Sequence, residues 1–225
     1  MTVDLIQLIN FTLPTLSILL TLTFIFVFVR KKKKLNTSSK FFILFLLSFL
    51  VYAILLGLRS SILDLEIATY LSKISYIFTT SSSMFLFFTA YSLKGMYKKD
   101  YIKFIYMAIP TLLIIILLIL PNSLMLERHG VGWAVDLSPL FKISYIGILF
   151  SYTLLAMYNF RKIFIKLSDK KYIRKIQFLY VSIILMIVSF IFVIIIFMIK
   201  PEVPLTLALI PFLINLLFMF LAFVY

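Results

Sequence analysis

The sequence predicts an all-α integral membrane protein: a single seven-transmembrane-helix bundle over residues 1–225, with its N-terminus outside and its C-terminus in the cytoplasm. Hydrophobic residues make up 64% of the chain and the mean hydropathy is +1.16, whereas soluble domains are roughly 45–50% apolar. Apolar runs of about 20 residues, the length that crosses a bilayer, recur along nearly the whole chain. Lysine and arginine cluster in alternate connections between these runs. The predicted location is therefore the cell membrane, as a multi-pass protein.

The apolar runs define the predicted spans. In chain order they cover about residues 5–29, 41–58, 67–93, 104–120, 139–160, 177–199 and 205–225. Asp4 precedes the first run, the positive charge follows it, and the run is too long for the core of a signal peptide. The first run is therefore predicted to be a membrane-spanning helix, and Pro14 is expected to kink it.

The connections on one side of the membrane are expected to be loops. Arg59 is predicted to lie in the loop after the second span. Residues 121–138 are predicted to form a longer loop, which holds the only His, His129, and the only Trp, Trp133. Ser138-Pro139 is typical of a helix start, with an N-cap residue followed by Pro at the first helical position. The fifth span should begin there.

The loop charges predict the orientation. Most of the 22 Lys and Arg residues fall in three connections, at residues 30–40, 94–103 and 161–175. The segments on the other side hold six of the eight acidic residues: Asp4, Asp64, Glu66, Glu127, Asp136 and Glu202. Because Lys and Arg stay on the cytoplasmic side of short loops, this alternation predicts an outside N-terminus. It also predicts anionic lipid headgroups as partners of the basic connections.

Several classes of function are disfavoured by residues that the sequence lacks. Cysteine is absent, which rules out disulfides, thiolate catalysis and cysteine metal sites. No Asp, Glu or His falls in a predicted span, so a proton relay, an intramembrane aspartyl protease or a metal site would have no residues to use. The net charge of +14 lies in short clusters between spans, which favours membrane topology over nucleic-acid binding. The sequence predicts no enzyme, no metal and no cofactor.

A short internal echo supplies the first candidate ligand-binding residues. Leu71–Ile77 resembles Leu140–Ile146, and both segments open an odd-numbered span at its outer end. In one interpretation Lys73 and Lys142 snorkel to the membrane surface while Tyr76 and Tyr145 join the interfacial aromatic belt. In the other, the matching cations Lys73 and Lys142 lie beneath an outward-facing cavity and meet an anionic ligand group.

Polar residues elsewhere in the spans supply the remaining candidates. Thr79–Ser83 is a run of five hydroxyls, which includes Thr80 and Ser82. These hydroxyls serve close helix packing, back-bonding to carbonyls one turn earlier, or the lining of a pocket. Asn215 lies in the middle of the seventh span and needs a partner, either another helix or a ligand. Trp133 is either an interfacial anchor or a lid over an outer pocket.

Taken together, the polar and aromatic positions resemble the N-terminal seven-helix sensory region of bacterial and archaeal histidine kinases. The residues that carry the resemblance are Lys73-Ile74-Ser75-Tyr76, Phe85, Phe88, Tyr91, Gly95, Ile109-Pro110, Gly132-Trp133, Tyr145 and Tyr152. The resemblance implies a bundle that receives a signal and passes it through the last helix to a cytoplasmic output domain. The sequence departs from the family because its only His, His129, lies in a predicted outer loop and cannot serve as the phosphoacceptor.

The predicted function is that of a membrane-embedded sensory or receptor module, which detects an extracytoplasmic or bilayer signal and is not itself an enzyme. A cytoplasmic output domain or signalling partner is expected, and a homodimer is left open. The alternative is a non-catalytic subunit of a membrane transport or assembly complex. The seventh span stops at Tyr225 without a charge to mark the boundary, so we expect the working unit to continue beyond it.

Overall fold

The computed structural model describes residues 2–31, 36–93, 100–129, 132–166, 173, 177–188, 191 and 209–224. Within these ranges the chain forms seven helices and one two-stranded hairpin. The helices are α1 (Thr2–Lys31), α2 (Thr37–Ser61), α3 (Leu65–Ser92), α4 (Asp100–Ile119), α5 (Pro139–Lys166), α6 (Gln177–Val188) and α7 (Leu209–Val224). The strands are β1 (Leu124–His129) and β2 (Gly132–Leu137), which pair antiparallel between α4 and α5.

Four helices of the described chain are long and apolar enough to cross a membrane. The qualifying segments are Asn10–Lys31, Thr37–Ser61, Ile102–Ile119 and Pro139–Ile165. Large apolar side chains also cover the exposed face of α4, at Ile102, Ile105, Tyr106, Ile109, Leu112, Leu113, Ile116 and Ile119. A contiguous apolar surface of this extent suits lipid better than water. The helical fold is thus confirmed, and these helices indicate a membrane-embedded, multi-pass protein.

The helices extend beyond the predicted spans at several ends. The second span was predicted to stop at Leu58, but α2 continues to Ser61. Arg59 therefore lies inside a helix and is buried, and its predicted place in a loop is wrong. Residues 192–199 and 205–208 of the sixth and seventh predicted spans lie outside the described residues, as do parts of the three basic connections.

Side-chain caps set the starts of α3 and α5. The Asp64 carboxylate accepts a hydrogen bond from the Ile67 N–H at 2.9 Å, which satisfies one free donor of the first turn of α3. The Ser138 hydroxyl accepts from the Phe141 N–H at 3.3 Å, and α5 begins at Pro139. The predicted N-cap at Ser138 is therefore confirmed.

A close approach of α1 to α2 occurs where α1 contains proline. The helix continues through Pro14, whose ring is buried against α2. A Cβ atom added at Gly57 would lie 3.2 Å from the Pro14 Cβ, so a small residue at Gly57 lets the two backbones come together.

The connection between α4 and α5 contains a hairpin, which corrects the prediction of a loop over residues 121–138. Leu124 and Leu126 of β1 are buried, whereas Met125 and Glu127, each of which follows one of them, are exposed. Across the ladder, Leu126 pairs with Val135, which is also buried. This alternation places one apolar face of the hairpin on the helices.

The central element of the bundle is α3, which packs against α2, α4, α5 and β1. Its 28 residues span about 42 Å at 1.5 Å per residue. The neighbouring helices shield α3 from lipid, which is why its hydroxyl-rich sequence is compatible with this position. At the end far from the hairpin, α3 joins α2 and α4 in a group of rings that we call the aromatic cluster: Phe41, Phe87, Phe88, Tyr91 and Phe104.

Candidate ligand-binding site

The most polar part of the bundle lies beside the hairpin, where the last turn of α2 meets α3. Buried positions on α2 recur at Phe45, Phe49, Tyr52, Leu56 and Arg59. Steps of four, three, four and three residues keep one helix face pointing at α3, so Arg59 points into the bundle. Only 4% of the Arg59 surface is exposed.

The surroundings of Arg59 contain hydroxyls but no carboxylate. Its Nη1 donates to the Ser72 hydroxyl at 3.4 Å, and its charge acts on the hydroxyls of Tyr52 and Tyr76. Within the described part of the chain, its Nε has no hydrogen-bond partner and no Asp or Glu pairs with it. A buried guanidinium stays charged, so this site retains an uncompensated positive charge.

Tyr76 of α3, which lies near Arg59, faces Tyr145 of α5. Their ring centroids lie 4.9 Å apart at an interplanar angle of 90°, and Phe141 stacks on Tyr145 at 5.7 Å. The Tyr145 hydroxyl interacts with the Thr79 side chain. By contrast, the buried Tyr76 hydroxyl has no hydrogen-bond partner among the described residues. We call Tyr52, Arg59, Ser72, Tyr76 and Tyr145 the polar cluster.

A stripe of buried hydroxyls continues from the polar cluster along α3. It comprises Ser72, Ser75, Thr79, Thr80, Ser82 and Ser83, over about 16 Å of helix. The first four donate to backbone carbonyls three or four residues earlier, at 2.7–2.9 Å. Back-bonding, one of the predicted uses of the Thr79–Ser83 hydroxyls, is therefore confirmed for Thr79 and Thr80.

The two hydroxyls at the far end of this stripe differ from the others. The Oγ atoms of Ser82 and Ser83 are buried and have no partner in the described chain. An unsatisfied hydroxyl away from water is costly, so such groups mark places where packing alone does not account for the residue type.

The hairpin closes over this region through Trp133. The indole Nε1 donates to the Ile62 carbonyl at 2.9 Å, and the Ile62 N–H in turn reaches the Arg59 carbonyl at 3.4 Å. The ring of Trp133 packs against a second apolar cluster that contains Tyr76 and Phe141. Trp133 therefore joins the hairpin to the end of α2, and its role as a lid over a pocket stays a prediction.

The sequence-predicted site residues divide into two groups. Tyr76, Tyr145 and Trp133 lie together at the hairpin end, with Thr80 one turn further along α3. Lys73 instead lines an open surface groove with Asp64, Leu65, Glu66, Thr69 and Tyr70. Its predicted place beneath a cavity beside Tyr76 is therefore not what the structure shows.

The other candidates lie apart from the polar cluster. Lys142 is partly exposed in the first turn of α5. Asn215 is buried on α7, a helix that packs against α1, and its Oδ1 has no partner among the described residues. A partner for the Asn215 Oδ1 therefore does not lie among the described residues, and the predicted partner of its amide stays a prediction.

The cation of the polar cluster is Arg59, which the sequence reasoning missed. A guanidinium and several hydroxyls supply hydrogen-bond donors, while the cluster itself contains no carboxylate or imidazole to act as a base. The arrangement is suited to binding. No protein-family model matches this chain, and no curated protein matches it significantly.

Proposed function

We propose that this chain is a membrane-embedded sensory or receptor module that detects a signal at the hairpin end and passes a helix rearrangement to the cytoplasmic side. The observation that carries the proposal is the polar cluster, because its buried Arg59 and Tyr76 have donors without partners among the described residues. Such groups are expensive in a membrane and by default indicate a functional site. The resemblance to histidine-kinase sensory regions points the same way.

The proposal includes seven spans with the hairpin outside and both the basic connections and the C-terminus in the cytoplasm. The distribution of Lys and Arg supports this orientation. Because the chain has no Cys, single cysteines can be introduced without first replacing native cysteines. Suitable exposed positions are Leu63 and Met125 at the hairpin end and Ile165 at the far end of α5.

A membrane-impermeant maleimide on intact cells should label Leu63→Cys and Met125→Cys but not Ile165→Cys. Permeabilised cells should label all three, which controls for accessibility. Labelling of Ile165→Cys in intact cells would contradict the orientation.

Transmission depends on α3, which links the polar cluster at one end to the aromatic cluster at the other. A signal that binds one helix arrangement more tightly than another shifts the population between them. The far ends of α3 and α5 offer exposed label sites at Leu93 and Ile165. An output domain or partner protein would respond to the displacement of these helix ends.

The experiment is an electron-spin distance measurement on the Leu93→Cys/Ile165→Cys pair in lipid nanodiscs. Neutralising the buried charge with Arg59→Met should change the distance distribution between the labels. Lys73→Met, which removes a cation from the open groove, should leave it unchanged. Identical distributions in both variants would contradict transmission from the polar cluster.

The alternative function, a non-catalytic subunit of a membrane complex, is favoured by a different feature. An apolar groove of about 440 Å³ runs between α4 and α5 and includes Pro110, Gly147 and Ser151. A Cβ at Gly147 would meet no atom within 4 Å, so the α5 backbone is open to a transmembrane helix of a partner subunit. Loss of a stoichiometric partner from purified Gly147→Leu would support this alternative, whereas an unchanged preparation would count against it.

A further inference from the structure

The countercharge for Arg59 has to come from outside the described chain. The helices around it contribute Tyr52 from α2 and Ser72 and Tyr76 from α3, and Tyr145 of α5 lies against Tyr76. Each of these groups is neutral as a phenol or alcohol, and the charged residues of the nearby α2–α3 turn and start of α3, Asp64 and Glu66, are exposed to solvent. The C-terminal end of α2 offsets part of the positive charge, but it provides no acceptor for the Arg59 Nε.

We propose that the polar cluster is a binding site for an oxyanion, either a carboxylate or a phosphate group. A guanidinium presents its N–H groups in a planar fork that matches two oxygens of such a group. The Tyr76 hydroxyl, which lacks a partner among the described residues, adds a donor from α3. The inference deepens the proposed function, on which it rests, by naming the ligand class at the same site.

The walls of the site indicate what the oxyanion is attached to. Tyr76, which lies near the guanidinium, packs its ring against those of Phe141 and Tyr145, and the three centroids lie 4.9–5.7 Å from one another. Aromatic side chains next to a cation favour an oxyanion that carries an aromatic ring. A lipid phosphate offers the same oxyanion chemistry from the bilayer, so the test needs an arm for each source.

The fluorescence of Trp133 reports on the site because Trp133 is the only Trp of the chain. Its indole donates a hydrogen bond to the Ile62 carbonyl, just after the last turn of α2, which carries Arg59. The full chain is placed in phosphatidylcholine nanodiscs, and tryptophan emission and melting temperature are followed during titration with sodium benzoate and with inorganic phosphate. A second arm without added anion compares nanodiscs with and without phosphatidylglycerol. Binding of benzoate or phosphate in the first arm identifies a soluble ligand. A higher melting temperature with phosphatidylglycerol in the second arm identifies a lipid headgroup.

In the arm that shows binding, Arg59→Met should weaken the affinity at least about thirtyfold, since it removes the buried charge that the anion meets. Tyr76→Phe keeps the ring but removes the donor, and should weaken binding about tenfold. Lys73→Met is the matched cation control and should change affinity less than about twofold. Equal affinity in Arg59→Met and wild type, or no stabilisation of the wild type in either arm, would overturn the inference.

The same samples separate this inference from the proposed function. Binding that depends on Arg59 but leaves the Leu93–Ile165 label distance unchanged would support the anion site and contradict the sensor. A label distance that responds to Arg59→Met, in a protein that none of the anions stabilises, would support the sensor and contradict the anion site.

Discussion

Tyr152 and Tyr76 are both buried tyrosines in the same bundle, but they have opposite hydrogen-bond environments. The Tyr152 hydroxyl on α5 donates to the Met107 carbonyl at 2.6 Å and lies 3.1 Å from the Thr111 hydroxyl. The Tyr76 hydroxyl has no partner in the described residues. Tyr152 stacks on Phe87 of the aromatic cluster, whereas Tyr76 belongs to the polar cluster.

The difference separates a structural region from a binding region. Tyr152 has hydrogen-bond partners, and the rings around it pack in stacked, tilted and edge-to-face pairs, so their contribution to stability accounts for these side chains. In the polar cluster, stability alone would favour apolar side chains over an unpaired Arg59. Substitutions should therefore be costly in the first region, and cheap or even stabilising in the second.

The largest effect is expected in the aromatic cluster. Phe88 is buried and its ring centroid lies 4.6 Å from that of Phe104 and 5.3 Å from that of Phe41. Phe88→Ala should lower the free energy of unfolding by about 3–5 kcal/mol, as core Phe truncations do. The measurement is equilibrium unfolding in mixed micelles. Phe26→Ala, at a side chain that is 64% exposed on α1, is the control and should cost under about 1 kcal/mol.

The two tyrosines themselves give the sharpest matched pair. Tyr152→Phe removes a bonded hydroxyl and should lower the free energy of unfolding by about 1–2 kcal/mol. Tyr76→Phe removes an unsatisfied hydroxyl and should leave it unchanged or raise it by up to about 1 kcal/mol. Both variants keep their rings and are measured in the same micelles. If both lower the free energy of unfolding equally, the proposed distinction between the regions is wrong.

The stability of the hairpin should depend modestly on the hydrogen bond between Trp133 and the end of α2. Trp133→Phe keeps an aromatic ring but loses the hydrogen bond to the Ile62 carbonyl, at a cost of about 0.5–1.5 kcal/mol. Hydrogen exchange should accelerate for the amides of β1 and β2 while those of α7 keep their rates. Unchanged amide exchange rates in β1 and β2 would show that Trp133 does not hold the hairpin against the end of α2.

The smallest effect is expected at the hydroxyls of α3. Ser82→Ala removes an Oγ without a described partner and should change the free energy of unfolding by less than about 0.5 kcal/mol. Ser72→Ala also removes the acceptor of Arg59 Nη1 and should cost about 1 kcal/mol. If Ser82→Ala lowers the free energy of unfolding as much as Ser72→Ala does, Ser82 has a packing role.

Much of the fold could be predicted because it depends on long-range composition. Runs of apolar residues located the helices, and Ser138-Pro139 located the start of α5. The hairpin was missed because its alternating residues form only two strands of six residues each beside far stronger helical signals. The alternation of buried and exposed side chains from Leu124 to Glu127 did not show in the sequence, because the exposed Met125 is itself apolar.

The candidate site could be predicted only in part. Tyr76 and Tyr145 were identified through the internal echo, and they are in contact. Lys73 was selected from the same echo, but its position on the helix turns it toward the surface groove. Arg59 was missed because the predicted span stopped one residue before it. The spacing of Phe45, Phe49, Tyr52 and Leu56 would have placed it on the buried face.

The most direct test of the account is the free energy of unfolding of Arg59→Met in micelles of an uncharged glycoside detergent, which contain no phosphate or other anion. An unpaired buried charge destabilises the protein without its ligand, so replacing it with an apolar side chain of similar length should raise the free energy of unfolding by about 1–4 kcal/mol. A loss of about 2 kcal/mol or more would show that Arg59 is already compensated in the ligand-free protein, and would contradict the assignment of the polar cluster as a binding site.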